Sequence, residues 1–158
     1  MHSKLNGTLV LVFAFLLALI LAGSICGQIL PAKVKKYLDR NFHGWKLAGE
    51  CYEQDNKRVI SGDFDGNGKR DYAMKFVRGD KGFFMAFIQK GRGYKPFYLH
   101  LYTADDAKFS DLMLFNKGDD YELGESNFKL KHDAPADFRC ESDVGGVHVY
   151  RNGKFIAH

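Results

Sequence analysis

The chain carries little excess charge: 23 Lys+Arg face 19 Asp+Glu over 158 residues, a formal net charge of +4. That balance is too mild to be the electrostatic footprint of a nucleic-acid-binding protein. Cysteine is scarce, with three residues, which excludes the disulfide-dense small scaffolds. There is no Gly-x-Ser-x-Gly elbow, no Cys-x-x-Cys and no His-Glu-x-x-His, so the hydrolases, redox proteins and zinc enzymes that depend on those motifs are excluded. Gly91-Arg92-Gly93 lacks the third glycine of a dinucleotide loop, and Pro96 marks a turn there. No motif recurs and no stretch is of low complexity. The length suits one domain and excludes a full propeller or a two-domain enzyme of ordinary size. With 46% apolar and 27% charged residues, wholesale disorder is excluded too.

What is present begins with an address. Residues 1–27 hold one charge, Lys4, then an unbroken apolar run from Leu9 to Ala22 and small residues at Gly23, Ser24 and Gly27. That pattern reads as a secretory signal peptide; the alternative is an N-terminal membrane anchor, which needs about 20 apolar residues. Export to the periplasm or the extracellular space is the expected localisation, with contact to a membrane only if the leader is kept. Removing the leader removes Cys26 and leaves Cys51 and Cys140 as one expected disulfide. Closing a loop of about 90 residues is worth at most roughly 4–5 kcal/mol in the chain-entropy model. The alternative is two thiols buried as small hydrophobes.

Residues 28–158 read as a single α+β domain. Pro31 opens a helix in which Val34, Tyr37, Leu38 and Phe42 share one face, with Lys33, Lys36 and Arg40 outside, and His43-Gly44 ends it. After Trp45 the period changes to two. The expected strands are Trp45–Glu53, Arg58–Phe64, Tyr72–Val77, Phe83–Lys90, Phe97–Tyr102 and Asp111–Phe115, with weaker signals at Asn127–Lys131, Val147–Tyr150 and Lys154–Ile156. Asn152-Gly153 is the signature of a tight hairpin between the last two. Phe83 to Ile88 is apolar at every position, as in a central strand covered on both faces. Thr103–Leu123 reads as loops around one short strand. One N-terminal helix on a mainly antiparallel sheet is the expected architecture.

The stretch with chemistry in it is Gly62-Asp63-Phe64-Asp65-Gly66-Asn67-Gly68-Lys69-Arg70-Asp71-Tyr72. Asp63, Asp65 and Asn67 stand at loop positions 1, 3 and 5, Gly68 at the sharp turn of position 6, and Asp71 at position 9. A hard cation needing six to eight oxygens finds three side-chain donors there, the Lys69 carbonyl at position 7, and Asp71 directly or through water. Lys57, Arg58, Lys69 and Arg70 are the cations at hand to offset the three carboxylates. The loop resembles the calcium loops of EF-hands, dockerins and FG-GAP/VCBS-type repeats. Its flanks alternate as strands, and Met74 stands at position 12 where an EF-hand carries glutamate, so the resemblance is to the β-hairpin FG-GAP/VCBS type. It covers about 20 residues in one copy and implies Ca2+ bound by Asp63, Asp65, Asn67, Lys69 and Asp71. It does not imply a propeller or an adhesive function. Without a closing glutamate the implied Kd is that of extracellular modules, roughly 0.1–1 mM. The alternative is an ordinary Asp/Asn/Gly turn.

Tyr98, His100 and Tyr102 are expected on one strand face opposite Phe97, Leu99 and Leu101, and His148 with Tyr150 on another. The leading functional expectation is a calcium-binding, disulfide-stabilised exported domain with a structural role or a protein or cell-wall polymer as partner. A secreted hydrolase using Glu141, Asp143 or His100 is one alternative. A periplasmic inhibitor or immunity-type protein, with Thr103–Leu123 as its protruding loop, is the other.

Overall fold

The computed structural model describes residues 30–49, 58–123, 126–142 and 144–158. The leader segment 1–27, Cys51, the end of the expected strand Trp45–Glu53, and Asp143 lie outside them. Helix α1 runs over Ala32–Asn41, preceded by Pro31, and the Phe42 N–H closes its last turn on the Leu38 carbonyl at 2.7 Å. Gly44, at φ +78°, takes the left-handed exit conformation expected of it. Among the described residues no helix is long and apolar enough to cross a membrane.

The remainder is antiparallel β structure. In the first sheet β3 (Asp71–Arg78), β4 (Lys81–Lys90) and β5 (Gly93–Thr103) form a meander. The short strands β1 (Lys46–Leu47) and β2 (Val59–Gly62) lie end to end along the free side of β3. A 3-10 turn at Asp106–Phe109 leads into a second sheet of β6 (Ser110–Phe115), β9 (Ala134–Arg139), β10 (Gly145–Arg151) and β11 (Lys154–Ala157), in the order β11-β10-β9-β6. Strands β7 (Asp120–Leu123) and β8 (Ser126–Lys129) make a separate hairpin.

Three apolar layers hold these pieces together. Val34, Leu38 and Phe42 of α1 pack on Met74, Phe76, Phe83, Met85 and Phe87, one face of the first sheet. On the other face Ala73, Phe84, Ala86 and Ile88 meet Ile60, Phe64 and Leu112, with Tyr150 and Phe155 of the second sheet packed beside them. Tyr121 and Leu130 then join Ala134, Ala136 and Val147 on the second sheet's far face. Strand β4 is therefore central, paired on both edges and buried on both faces from Gly82 to Ile88. The α+β architecture is as expected, and the second sheet covers the face away from the helix.

Two expectations are corrected. Strand β5 does not keep one alternation along its length. Its register against β4 shifts between Phe84 and Met85, opposite Leu99, so Tyr98 pairs with Met85 while His100 pairs with Phe84. Such a bulge inverts the facing of everything beyond it. Tyr98 therefore lies toward α1, 6.3 Å from the Phe42 ring, while His100 and Tyr102 turn toward the second sheet with Phe97. Thr103–Leu123 is not a protruding loop. It carries a 3-10 turn, β6 and the whole of β7, with Ala107, Ser110, Leu112 and Tyr121 buried. An inhibitor role would need a different segment.

Candidate metal centre

The Asp63–Arg70 loop joins β2 to β3, a β-hairpin setting as the flanking alternation required. Gly66 and Gly68 both lie at φ +74°, which lets the chain coil tightly enough to aim successive side chains inward. One carboxylate oxygen from each of Asp63, Asp65 and Asp71 falls within 4.8 Å of the others. Two oxygens on one calcium at about 2.4 Å can be no farther apart than that, so the three meet the spacing that a shared ion requires.

Each carboxylate is also held by backbone. Asp63 accepts the N–H of Asn67 at 2.9 Å and of Gly68 at 2.8 Å, and Asp65 accepts Asn67 at 3.2 Å. Asp71 is fully buried and accepts the N–H of Phe64 at 2.9 Å and of Gln89 at 2.7 Å. A carboxylate offers about four lone-pair sites, so these bonds leave lone pairs to spare for an ion. Asn67 accepts the Lys69 N–H at 2.8 Å and donates to the Gln89 carbonyl at 3.2 Å, which ties the loop to β4. Lys69 is exposed. Burial first, then the neighbouring charge of Asp65, pushes the Asp71 carboxyl up to about 6 against the pull of its two N–H donors. Burial thus penalises the ionised Asp71 carboxylate more than its hydrogen bonds relieve it. Hard oxygen donors in that state suit a hard divalent cation.

No family model, curated protein or solved structure matches the chain. The resemblance of the loop therefore rests on its residues and their geometry.

Much of what supports the loop comes from far along the chain. Lys90, on β4, is the cation placed against the cluster, and its ammonium pairs with Asp65. The Asp63 N–H donates to Asp133 at 2.8 Å, while the other oxygen of Asp133 accepts the Lys117 N–H at 2.9 Å. A Cβ on Gly66 would run into the His132 ring, so any other residue there would have to displace His132 as well as adopt a left-handed φ. No local pattern announces Lys90, His132 or Asp133, because each acts across 25 or more positions.

The other candidates disperse. Glu141 is exposed on a turn at φ 57°, and His100 is exposed on β5. His148 and Tyr150 do share the face of β10 turned to the first sheet, away from Val147 and Val149. Cys140 is disulfide-bonded; Cys51, its expected partner, lies outside the described residues.

Proposed function

We propose that this chain is an exported calcium-binding module, bridged by Cys51–Cys140, whose partner is an acidic polymer of the cell surface. The observation that carries the reading is the convergence of one carboxylate oxygen from each of Asp63, Asp65 and Asp71 to within 4.8 Å of the others, on a hairpin loop that resembles the FG-GAP/VCBS type. When bound, Ca2+ would neutralise that cluster and pin β2 to β3 through Asp63, Asp65, Asp71 and the Asn67 and Lys69 positions. The polymer reading is supported by a cavity of about 500 Å³ that includes Asp65 and is lined by Lys129, Lys131, His132 and Arg151. Lys129, Lys131 and Arg151 would meet acidic groups of such a polymer at the same surface that would hold the metal.

Thermal unfolding with chelator and with calcium tests the metal. With calcium at about 5 mM and a Kd of roughly 0.1–1 mM, linkage adds about 1–2 kcal/mol, a shift of several degrees. Asp63→Ala with Asp65→Ala is expected to abolish the shift. A wild-type protein indifferent to calcium would sink the reading.

Retention on an immobilised acidic polysaccharide tests the partner. Binding in calcium that is lost in chelator, and lost on reversing the charges of Lys129 and Lys131, is the expected result. Equal retention on a neutral glucan would rule the polymer out.

A further inference from the structure

A second cluster lies between the two sheets, four residues along β3 from Asp71 and so about 13 Å away. Lys75 is buried, with 3% exposure, and its ammonium donates to Ser110 Oγ at 2.7 Å and to the Ala107 carbonyl at 3.4 Å. Ser110 lies beside the Tyr102 hydroxyl, which donates to Asp137. The other oxygen of Asp137 meets His148 Nε2 at 3.0 Å. The chain Lys75–Ser110–Tyr102–Asp137–His148 draws one residue from each of five strands, β3, β5, β6, β9 and β10. A merely structural network could end at that interface. This one opens onto a cavity of about 690 Å³ lined by Tyr102, Ser110 and Asp137. Leu101, Phe109 and Val144 stand at its mouth, each more than half exposed. An apolar mouth over a hydroxyl and an amine at hydrogen-bond distance is the layout for a substrate with an apolar arm and a polar reacting group.

We propose that this cavity is an acyl-hydrolase site, with Ser110 as nucleophile and Lys75 as its general base, acting on esters or amides of hydrophobic acyl groups. The proposal stands apart from the calcium reading and uses none of its residues. Neutral Lys75 takes the Ser110 proton as Oγ bonds to the substrate carbonyl carbon and the carbonyl electron pair moves to oxygen. Arg139 and Lys81 on the cavity lining supply positive potential toward that oxyanion. Collapse breaks the bond to the alcohol or amine, which leaves with the proton from Lys75. Water then cleaves the Ser110 ester by the same proton route and releases the carboxylic acid. Tyr102, Asp137 and His148 are positioning residues that fix Ser110 and the charge around it.

The base must be neutral to act, and burial lowers Lys75 to about 8 while Asp137 on β9 and Asp111 on β6 oppose the shift. Tyr102 on β5, with burial as the first cause, is pushed upward and keeps its proton. The test is treatment of the purified protein with a fluorophosphonate probe, with the adduct located by peptide mass spectrometry. Labelling of Ser110 is expected, about tenfold faster at pH 9 than at pH 7 as the neutral amine fraction grows. Ser110→Ala should not be labelled, and folded Lys75→Met should be labelled at least tenfold more slowly. No adduct on Ser110, an adduct elsewhere, or an equal rate in Lys75→Met would overturn the proposal. Should Lys75→Met not fold, the wild-type profile decides: a rate flat between pH 7 and 9 overturns the role of Lys75.

Discussion

Asp71→Ala is expected to cost about 2–4 kcal/mol of stability in chelator, before any metal is involved. The carboxylate is fully buried, and its two oxygens close the N–H groups of Phe64 and Gln89. Each buried donor left without a partner costs about 1–3 kcal/mol, and removing an ionised buried carboxylate returns part of that sum. Urea unfolding in chelator measures it. A loss under about 1 kcal/mol would mean that Asp71 is not a strut of the hairpin.

The comparison with its neighbours makes the result specific. Asp65 is reached by Lys90, whose side chain is half exposed, and its backbone partner Asn67 has a second acceptor in Asp63. Asp65→Ala should therefore lose much less in chelator than Asp71→Ala, although both are expected to lose the calcium-dependent increment. The loop would thus combine one residue that builds the hairpin with others that matter mainly when an ion is bound.

This division explains what was legible in the sequence. Phe83 to Ile88 announced a doubly covered strand because no polar residue interrupts it, and Val34, Leu38 and Phe42 announced the helix by spacing. Strand β9 was missed because Ala134-Pro135-Ala136-Asp137-Phe138-Arg139 combines two alanines with a proline and two charges, which are poor strand signals. The fold accepts Pro135 because β10 pairs only Ala136, Asp137 and Phe138 there, leaving the Pro135 position free on that edge. The bulge at Leu99 was invisible for a related reason. Alternation from Phe97 to Tyr102 looks unbroken until the register with β4 is known.

The candidate metal residues were legible because they lie within nine positions of each other and their spacing is the chemistry. The Lys75 cluster was not. In Tyr72-Ala73-Met74-Lys75-Phe76 a lysine reads as the wet side of an alternating strand. Only the second sheet, packed on that side, turns the position inward. Asp137 lies on β9, which no local pattern announces, and although Asn152-Gly153 announces the β10–β11 hairpin, nothing local sets His148 against Asp137.

Stability should rise with pH between about 8 and 10, and Lys75 is the reason. Burial holds it at about 8 in the folded protein, from an ordinary value of 10.5. Below pH 8 it is protonated in both folded and unfolded chains, and the cost of burying the charge is present in full. Between the two values the unfolded chain binds more protons than the folded one, so stability increases with pH. Over two pH units the gain is about 2–3 kcal/mol, at about 1.4 kcal/mol per unit. Above about pH 10 unfolded tyrosines ionise while buried Tyr102 does not, which reverses the trend and closes the window. The measurement is the unfolding free energy of wild type and Lys75→Met at pH 7, 8, 9 and 10. The wild type should gain on the variant by that amount from pH 8 to 10 and by little from 7 to 8. A constant difference would mean that Lys75 keeps its proton throughout, leaving Ser110 beside an ammonium with no lone pair to accept its proton.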